Sequence, residues 1–305
     1  MPTWLVFAHA SNHSDYRHTS RVIDWIVRNS TNTNVIIYIA TFGPTRHSDA
    51  ILLRIARGNA EVIARSPVTP MTAIAVLNTF TDMLANVDAF CGTFHGSGWC
   101  IGPWKHTKEC FMTTRDMIRV TVTKLSIPLV CFDSCYMGNL SCLYELPQCV
   151  RYVVASPAFH PYVSLMRQET FLQLPAAAGK DYATSLAREW TRRAWSRARY
   201  SCLLVFEMSR MAPLIETLKR DWSRLRFGSW SRIDKEDANL SDLWSAAVAA
   251  PAVRRAIADF VVDDGVRTRC KKIHGPSVER RLPRKWQQLF VQTRFYRDVL
   301  SRHWQ

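Results

Sequence analysis

The sequence has no apolar run approaching the roughly 18 to 20 residues needed to cross a bilayer. It also has no internal repeat, and its 305 residues include only 11 Gly and 14 Pro. These absences exclude integral membrane, collagen-like and low-complexity proteins. With 48% hydrophobic and 21% charged residues, the composition is that of a folded protein. The length suits one large α/β domain with an appendage, or two ordinary domains.

A CxxC pair is missing as well, and so is a secretory signal, because the apolar run at residues 4–8 is short and no basic residue precedes it. The nine Cys are an odd number. We therefore expect reduced thiols and an intracellular location, cytoplasmic or nuclear.

Acidic residues are scarce, with 25 Asp and Glu against 40 Lys and Arg, and the formal net charge is +15. More than half of this excess lies in residues 254–305. Such a charge favours acidic partners. Basic residues alternate with Trp at 188–199 and 280–286, which makes nucleic-acid binding possible, but no zinc-finger, RNA-recognition or P-loop motif supports it. We favour a solvated basic face whose Trp residues are buried.

Apolar runs of strand length alternate with segments of helical period. The predicted strands are 3–8, 34–41, 89–94, 127–132, 151–155 and 202–206, and the predicted helices are 20–29, 71–85, 139–146, 181–199 and 212–226. This order predicts an α/β fold with a mostly parallel sheet of about six strands and helices on both faces. The polar segment 228–239 leads to a helical basic C-terminal extension, which divides the chain into residues 1–228 and 229–305.

Two of the predicted strands run into residues that can carry chemistry. One strand is followed by His95 and Gly96, and the next strand by Cys135. In a parallel sheet, functional groups gather at the carboxyl ends of the strands, so an imidazole and a thiol could face one substrate bond. Gly96 would let a carbonyl approach the backbone closely. The pattern favours acyl transfer at a peptide bond.

The residues around these two positions form recognisable motifs. Residues 94–99 are Phe-His-Gly-Ser-Gly-Trp, residues 133–138 are Asp-Ser-Cys-Tyr-Met-Gly, and Tyr-Glu-Leu and Val-Ala-Ser follow at 144–146 and 154–156. Together they resemble the clostripain-like cysteine peptidases, relatives of caspases, legumains, gingipains and separases. The resemblance covers about residues 3–226. It implies a caspase-like three-layer sandwich and a cysteine endopeptidase acting on polypeptides.

The resemblance also implies roles for individual residues. His95 and Cys135 would form the catalytic dyad, and the amides of Gly96 and Cys135 would form the oxyanion hole. Asn12 would support His95. Asp133 would lie at the substrate pocket and favour cleavage after Arg or Lys. No cofactor is implied, while a need for calcium, as in some relatives, and the oligomeric state stay open.

The sequence departs from the family pattern in places. Ser97 and Ser134 replace a usual Gly and Ala, and Pro-Ala-Phe-His-Pro at 157–161 replaces an acid-rich stretch. The second change favours a rival hypothesis, in which an inactive caspase-like scaffold binds protein or nucleic acid through its basic surface. Retention of both His95 and Cys135 favours the peptidase.

No metal site is predicted. Cys100, His106 and Cys110 match the spacing of no common zinc site. The histidines around the first strand-to-helix loop, at positions 9, 13 and 18, are better explained by solvent exposure or by support of the site.

Overall fold

The computed structural model describes residues 1–43, 49–102, 110–160, 164–194, 203–228, 240–262, 275–279 and 287–304. Its strands are β1 (Thr3–His9), β2 (Ile36–Phe42), β3 (Asp49–Ala56), β4 (Asn59–Pro67), β5 (Ala89–Thr93), β6 (Cys100–Ile101), β7 (Met112–Thr113), β8 (Leu129–Asp133), β9 (Tyr152–Ala155), β10 (Leu204–Glu207), β11 (Leu240–Asp242) and β12 (Ser277–Glu279).

The α-helices within these ranges are α1 (His13–Asn29), α2 (Ala73–Asp82), α3 (Thr114–Ile118), α4 (Leu140–Leu143), α5 (Lys180–Ala194), α6 (Met211–Asp221), α7 (Leu243–Ala246), α8 (Pro251–Phe260), α9 (Gln287–Phe290) and α10 (Arg294–Asp298). A π-helical turn, Arg119–Thr123, continues α3. Short 3₁₀ helices are Leu165–Arg167, Thr170–Gln173, Met208–Arg210, Trp222–Arg224, Ala247–Ala249 and Leu300–Arg302. None of the described helices combines the length and the apolar character that crossing a membrane requires.

The central sheet has eight strands in the order β10-β9-β8-β5-β1-β2-β3-β4. The five strands from β9 to β2 in this order are mutually parallel, and β10, β3 and β4 are antiparallel to their neighbours. All six strands expected from the sequence are present, and the mostly parallel α/β fold is confirmed.

The hairpin β3–β4 is a strand pair that the sequence analysis did not predict. β4 is an edge strand with largely exposed residues, so it lacks the apolar pattern that identifies a buried strand. Its turn is made by Arg57 and Gly58, which both have positive φ, as a two-residue hairpin turn of the I′ type requires. This turn was the local signal available in the sequence.

Helices cover both faces of the sheet, and each face has its own apolar core. α2, α6 and α8 pack on one face, and α1 and α5 pack on the other. α1 begins earlier than predicted because the side chain of Asn12 caps its first turn. α2, α4 and α6 are shorter than the predicted helices, and residues 195–199 of the long basic helix lie outside the described residues.

The described C-terminal residues pack on the first of these cores, with Val278 and Phe290 fully buried in it. They include the two-stranded sheet β11–β12 as well as short helices. Glu279 is buried and accepts hydrogen bonds from Asn139 Nδ2 at 2.9 Å and Ser141 Oγ at 3.0 Å. The C-terminal part therefore braces the chain just after Cys135. The domain boundary between residues 228 and 229 stays a prediction.

Candidate active site

His95 and Cys135 follow strands that are direct neighbours in the sheet. β5 and β8 pair in parallel, with Thr93 opposite Asp133. The hydroxyl of Ser134 accepts a hydrogen bond from Phe94 N at 3.0 Å and donates one to Phe94 O. Ser134 thus links the two strand ends. The Ser at position 134, where the family usually has Ala, therefore has a structural role.

The imidazole of His95 is held by a carboxylate on α1. His95 Nε2 lies 3.1 Å from Asp15 Oδ2. The same oxygen accepts hydrogen bonds from Ser11 N at 3.1 Å and Asn12 Nδ2 at 3.0 Å. Asp15 is therefore fixed by the backbone and by the helix cap, and it can set the orientation and the tautomer of His95.

Asn12, expected to support His95, acts on it through Asp15. Its Oδ1 caps α1 by accepting from Ser14 N at 2.8 Å and Asp15 N at 3.0 Å. Sequence reasoning missed Asp15. The available signal was an Asn cap followed three residues later by an acidic residue, a capping-box spacing at the end of a buried strand.

We expect Asp15→Asn to lower kcat by about 10²-fold with little change in KM, because a neutral amide no longer holds the imidazole in its working tautomer. Steady-state kinetics on a peptide substrate measures both constants. Asp24→Asn, an exposed carboxylate on the same helix, is the matched control and should leave them unchanged. An equal effect of both substitutions would contradict the role of Asp15 in positioning His95.

Cys135 is a half-buried cysteine outside the disulfide, in the loop after β8. The backbone N–H of His160 donates to its Sγ at 3.3 Å, and the thiol donates to His160 O at 3.6 Å. Tyr136 N donates to Ala158 O at 2.9 Å, and Gly138 N donates to Ser156 O at 2.8 Å. The segment after β9 therefore holds the Cys135 loop in place.

Gly96 packs closely against the same loop. A Cβ at Gly96 would lie 2.7 Å from Met137 Sδ and 3.1 Å from Cys135 O, so only glycine fits without displacing the loop. Gly96, His95 and Cys135 all line one open cleft with about 800 Å³ of empty space, its mouth included. The expected oxyanion-hole residues are thus at the same cleft as the thiol.

Asp133, the expected substrate-pocket residue, also lines this cleft, but its carboxylate is engaged internally. Its Oδ1 lies 2.6 Å from His160 Nε2, and its Oδ2 accepts from Ser164 Oγ at 2.9 Å and Leu165 N at 3.0 Å. His160 belongs to the segment that replaces the family's acid-rich stretch. The preference for Arg or Lys stays a prediction.

Two further histidines line the cleft. Burial and the neighbouring His95 lower the pKa of His9 to about 3, so its imidazole is neutral at ordinary pH. Burial also lowers the pKa of His18, an effect that Asp133 opposes. His13 is exposed. In the described ranges, no group of three or more His, Cys, Asp or Glu is arranged to bind a metal ion.

The expectation that all nine cysteines are reduced thiols is wrong for two of them. Cys100 and Cys110 form a disulfide, and their Cα atoms are 5.9 Å apart. The antiparallel pairing of β6 with β7 brings the two residues together across a separation of ten positions. Cys100 and Cys110 are therefore not zinc ligands in this structure.

We expect this disulfide to stabilise the fold by about 2–3 kcal/mol, the loop-closure contribution for a loop of this length. Reductant should lower the melting temperature of the wild type and should leave Cys100→Ala/Cys110→Ala unaffected. Intact mass under non-reducing conditions should be about 2 Da below the fully reduced mass, because forming one disulfide removes two hydrogen atoms. Unchanged mass on reduction would contradict the pairing.

Comparisons with solved structures show the same fold. A secreted C11 cysteine protease from Bacteroides thetaiotaomicron, in complex with an irreversible peptide inhibitor, has a TM-score of 0.74 at 14% identity, over 98% of this chain and 99% of that one. An inactive zymogen C11 protease from Parabacteroides distasonis has a TM-score of 0.70 at 16% identity, over 100% of this chain and 98% of that one.

None of the curated proteins matches the chain in sequence. The family model for the clostripain family, whose members are cysteine peptidases, does match it, over residues 6–255. This span includes both strand ends and every residue of the cleft described above. The chain therefore belongs to the clostripain family and is a cysteine peptidase.

Proposed function

We propose that Cys135 is the nucleophile and His95 the acid–base residue of this cysteine endopeptidase. One observation carries the proposal: His95 and Cys135 each lie two residues after the end of the parallel neighbours β5 and β8, at a single cleft, and Asp15 holds Nε2 of the imidazole. With Nε2 committed to Asp15, Nδ1 is the nitrogen that exchanges a proton with the thiol.

The reaction begins when His95 Nδ1 takes the proton of Cys135 Sγ. The thiolate attacks the carbonyl carbon of the scissile bond, and the π electrons move to the oxygen, which the amides of Gly96 and Cys135 stabilise. When the C=O bond re-forms, the C–N bond breaks, and His95 gives its proton to the leaving amine. Water then hydrolyses the thioester, with His95 acting as base, and regenerates the thiol.

An unbiased peptide mixture tests this activity. Purified protein should produce internal cleavages, read as new termini by mass spectrometry, and prior treatment with iodoacetamide should abolish them because alkylation consumes the thiolate. Cleavage that persists after complete alkylation of Cys135 would reject the mechanism.

The rival hypothesis is an inactive scaffold that binds protein or nucleic acid through its basic surface, in a chain of net charge +15. Trp190 does not support it, because this side chain of the basic helix is fully buried and stacks on His160 instead of facing solvent. Steeply salt-dependent nucleic-acid binding without any turnover would favour the scaffold.

We also propose an oxidising compartment in place of the intracellular one expected from the sequence. Disulfides persist in oxidising environments and are rare in the cytosol, so the Cys100–Cys110 bond favours the former. The similar protease from Bacteroides thetaiotaomicron is described as secreted, which agrees with this proposal.

A further inference from the structure

The cleft offers few carboxylates to a basic substrate side chain. Among the described residues that line it, the acidic ones are Asp15 and Asp133. Asp15 is committed to His95. Within the described lining, the carboxylate left for a substrate Arg or Lys next to the scissile bond is Asp133, which lies two residues before Cys135 at the end of β8.

Asp133 already has a basic partner. The imidazole of His160 lies 2.6 Å from its Oδ1, and the side chains of the pair are only 5% and 4% exposed. Ser164 Oγ and Leu165 N both donate hydrogen bonds to its other oxygen, Oδ2. A carboxylate with three short internal hydrogen bonds has little capacity left for a guest cation.

His160 is itself held from two sides. Its ring stacks on the buried ring of Trp190, with centroids 4.6 Å apart and planes inclined by 13°. Its backbone N–H donates to Cys135 Sγ at 3.3 Å. A basic side chain of the substrate would have to break the Asp133 contact and the stacking, and would then share a small buried space with the displaced imidazole.

We propose that His160 is a specificity-determining residue: it occupies the acidic subsite beside Cys135 and directs the protease to substrates with an uncharged, apolar residue before the scissile bond. An apolar residue suits the aromatic part of the lining, which is the exposed ring of Phe159 and the buried rings of Phe94 and Tyr136. This inference rests on the proposed catalytic role of Cys135 and His95.

The test is kcat/KM for peptides that differ only in this residue, with Leu, Phe, Asn, Asp, Arg and Lys in turn. Wild type should prefer Leu and Phe over Arg and Lys by about tenfold or more. His160→Ala should raise the Arg/Leu ratio by about tenfold or more, because Asp133 becomes available. His160→Ala/Asp133→Asn should lose that gain. These ratios are independent of the fraction of each variant that folds.

Asp133→Asn alone gives a second check if His160→Ala does not fold. Under this proposal the Arg/Leu ratio does not fall in that variant, whereas a carboxylate that binds substrate Arg would make it fall. A wild type that cleaves best after Arg, Lys or Asp would overturn the proposal and leave the cysteine peptidase standing. Failure to cleave any of the peptides would count instead against the proposed catalytic function.

Discussion

Cys135→Ala should lower kcat/KM by about 10⁴-fold or more, because Cys135 is the one thiol among the described residues that line the cleft and the proposed mechanism passes through its thioester. The substitution removes a single sulfur atom from a half-buried position, so the melting temperature should stay within about 3 °C of the wild type. Peptide hydrolysis and thermal unfolding on the same preparation measure the two quantities. The expected result is a folded protein without turnover.

The matched control is Cys149→Ala. Cys149 is also a half-buried free cysteine, but it lies near Ile127 O at the opposite end of β8. Its loss should leave turnover unchanged. Full activity in Cys135→Ala, or equal losses in both variants, would contradict the assignment of the nucleophile.

His95→Ala should lower kcat by about 10³-fold, within the range for loss of a positioned general acid–base group. In the proposed mechanism the imidazole has two tasks, deprotonation of the thiol and protonation of the leaving amine, and neither Asp15 nor His9 can replace it. Asp15 contacts Nε2 of His95, whereas Nδ1 is the nitrogen proposed to exchange a proton with the thiol. Burial lowers the pKa of His9 to about 3.

His13→Ala is the matched control for this variant, because His13 is an exposed histidine at the start of α1. It should retain wild-type kinetics. Turnover of His95→Ala within tenfold of the wild type would show that another group transfers the proton, and the dyad would have to be reassigned.

The sequence was sufficient to predict six of the eight strands of the sheet and the two strand ends that carry the site. Strands buried on both faces, such as β5 and β8, are mostly apolar runs, and His95 and Cys135 lie two residues beyond their ends. Neighbouring parallel strands end at the same edge of the sheet. The predicted order of strands and helices was therefore sufficient to place His95 and Cys135 at one cleft.

The features that were missed depend on contacts between residues distant in sequence. Asp15 and His95 are 80 positions apart, and Asp133 and His160 are 27 apart. No local sequence pattern indicates that either pair is in contact, because each contact depends on the strand order and on the loops at the carboxyl ends of the strands. The substitution at 157–161 was visible in the sequence, but only the fold shows that it brings His160 onto Asp133.

The disulfide was missed for a different reason. The odd number of cysteines and the missing CxxC pair favoured reduced thiols. The separation of ten residues between Cys100 and Cys110 indicates no pairing until β6 is seen to pair with β7. The C-terminal residues likewise gave only a basic, helical pattern, whereas Glu279 is buried among polar groups that brace the chain after Cys135.

Covalent labelling by a peptidyl electrophile, read by intact mass and peptide mapping, tests the central claim most directly. We expect one adduct per chain, located on Cys135 and absent from Cys135→Ala, with the other described cysteines outside the disulfide unmodified. Of these, burial raises the pKa values of Cys91, Cys131, Cys142 and Cys149, which makes them poor nucleophiles. An adduct on another residue, or equal labelling of Cys135→Ala, would contradict the account.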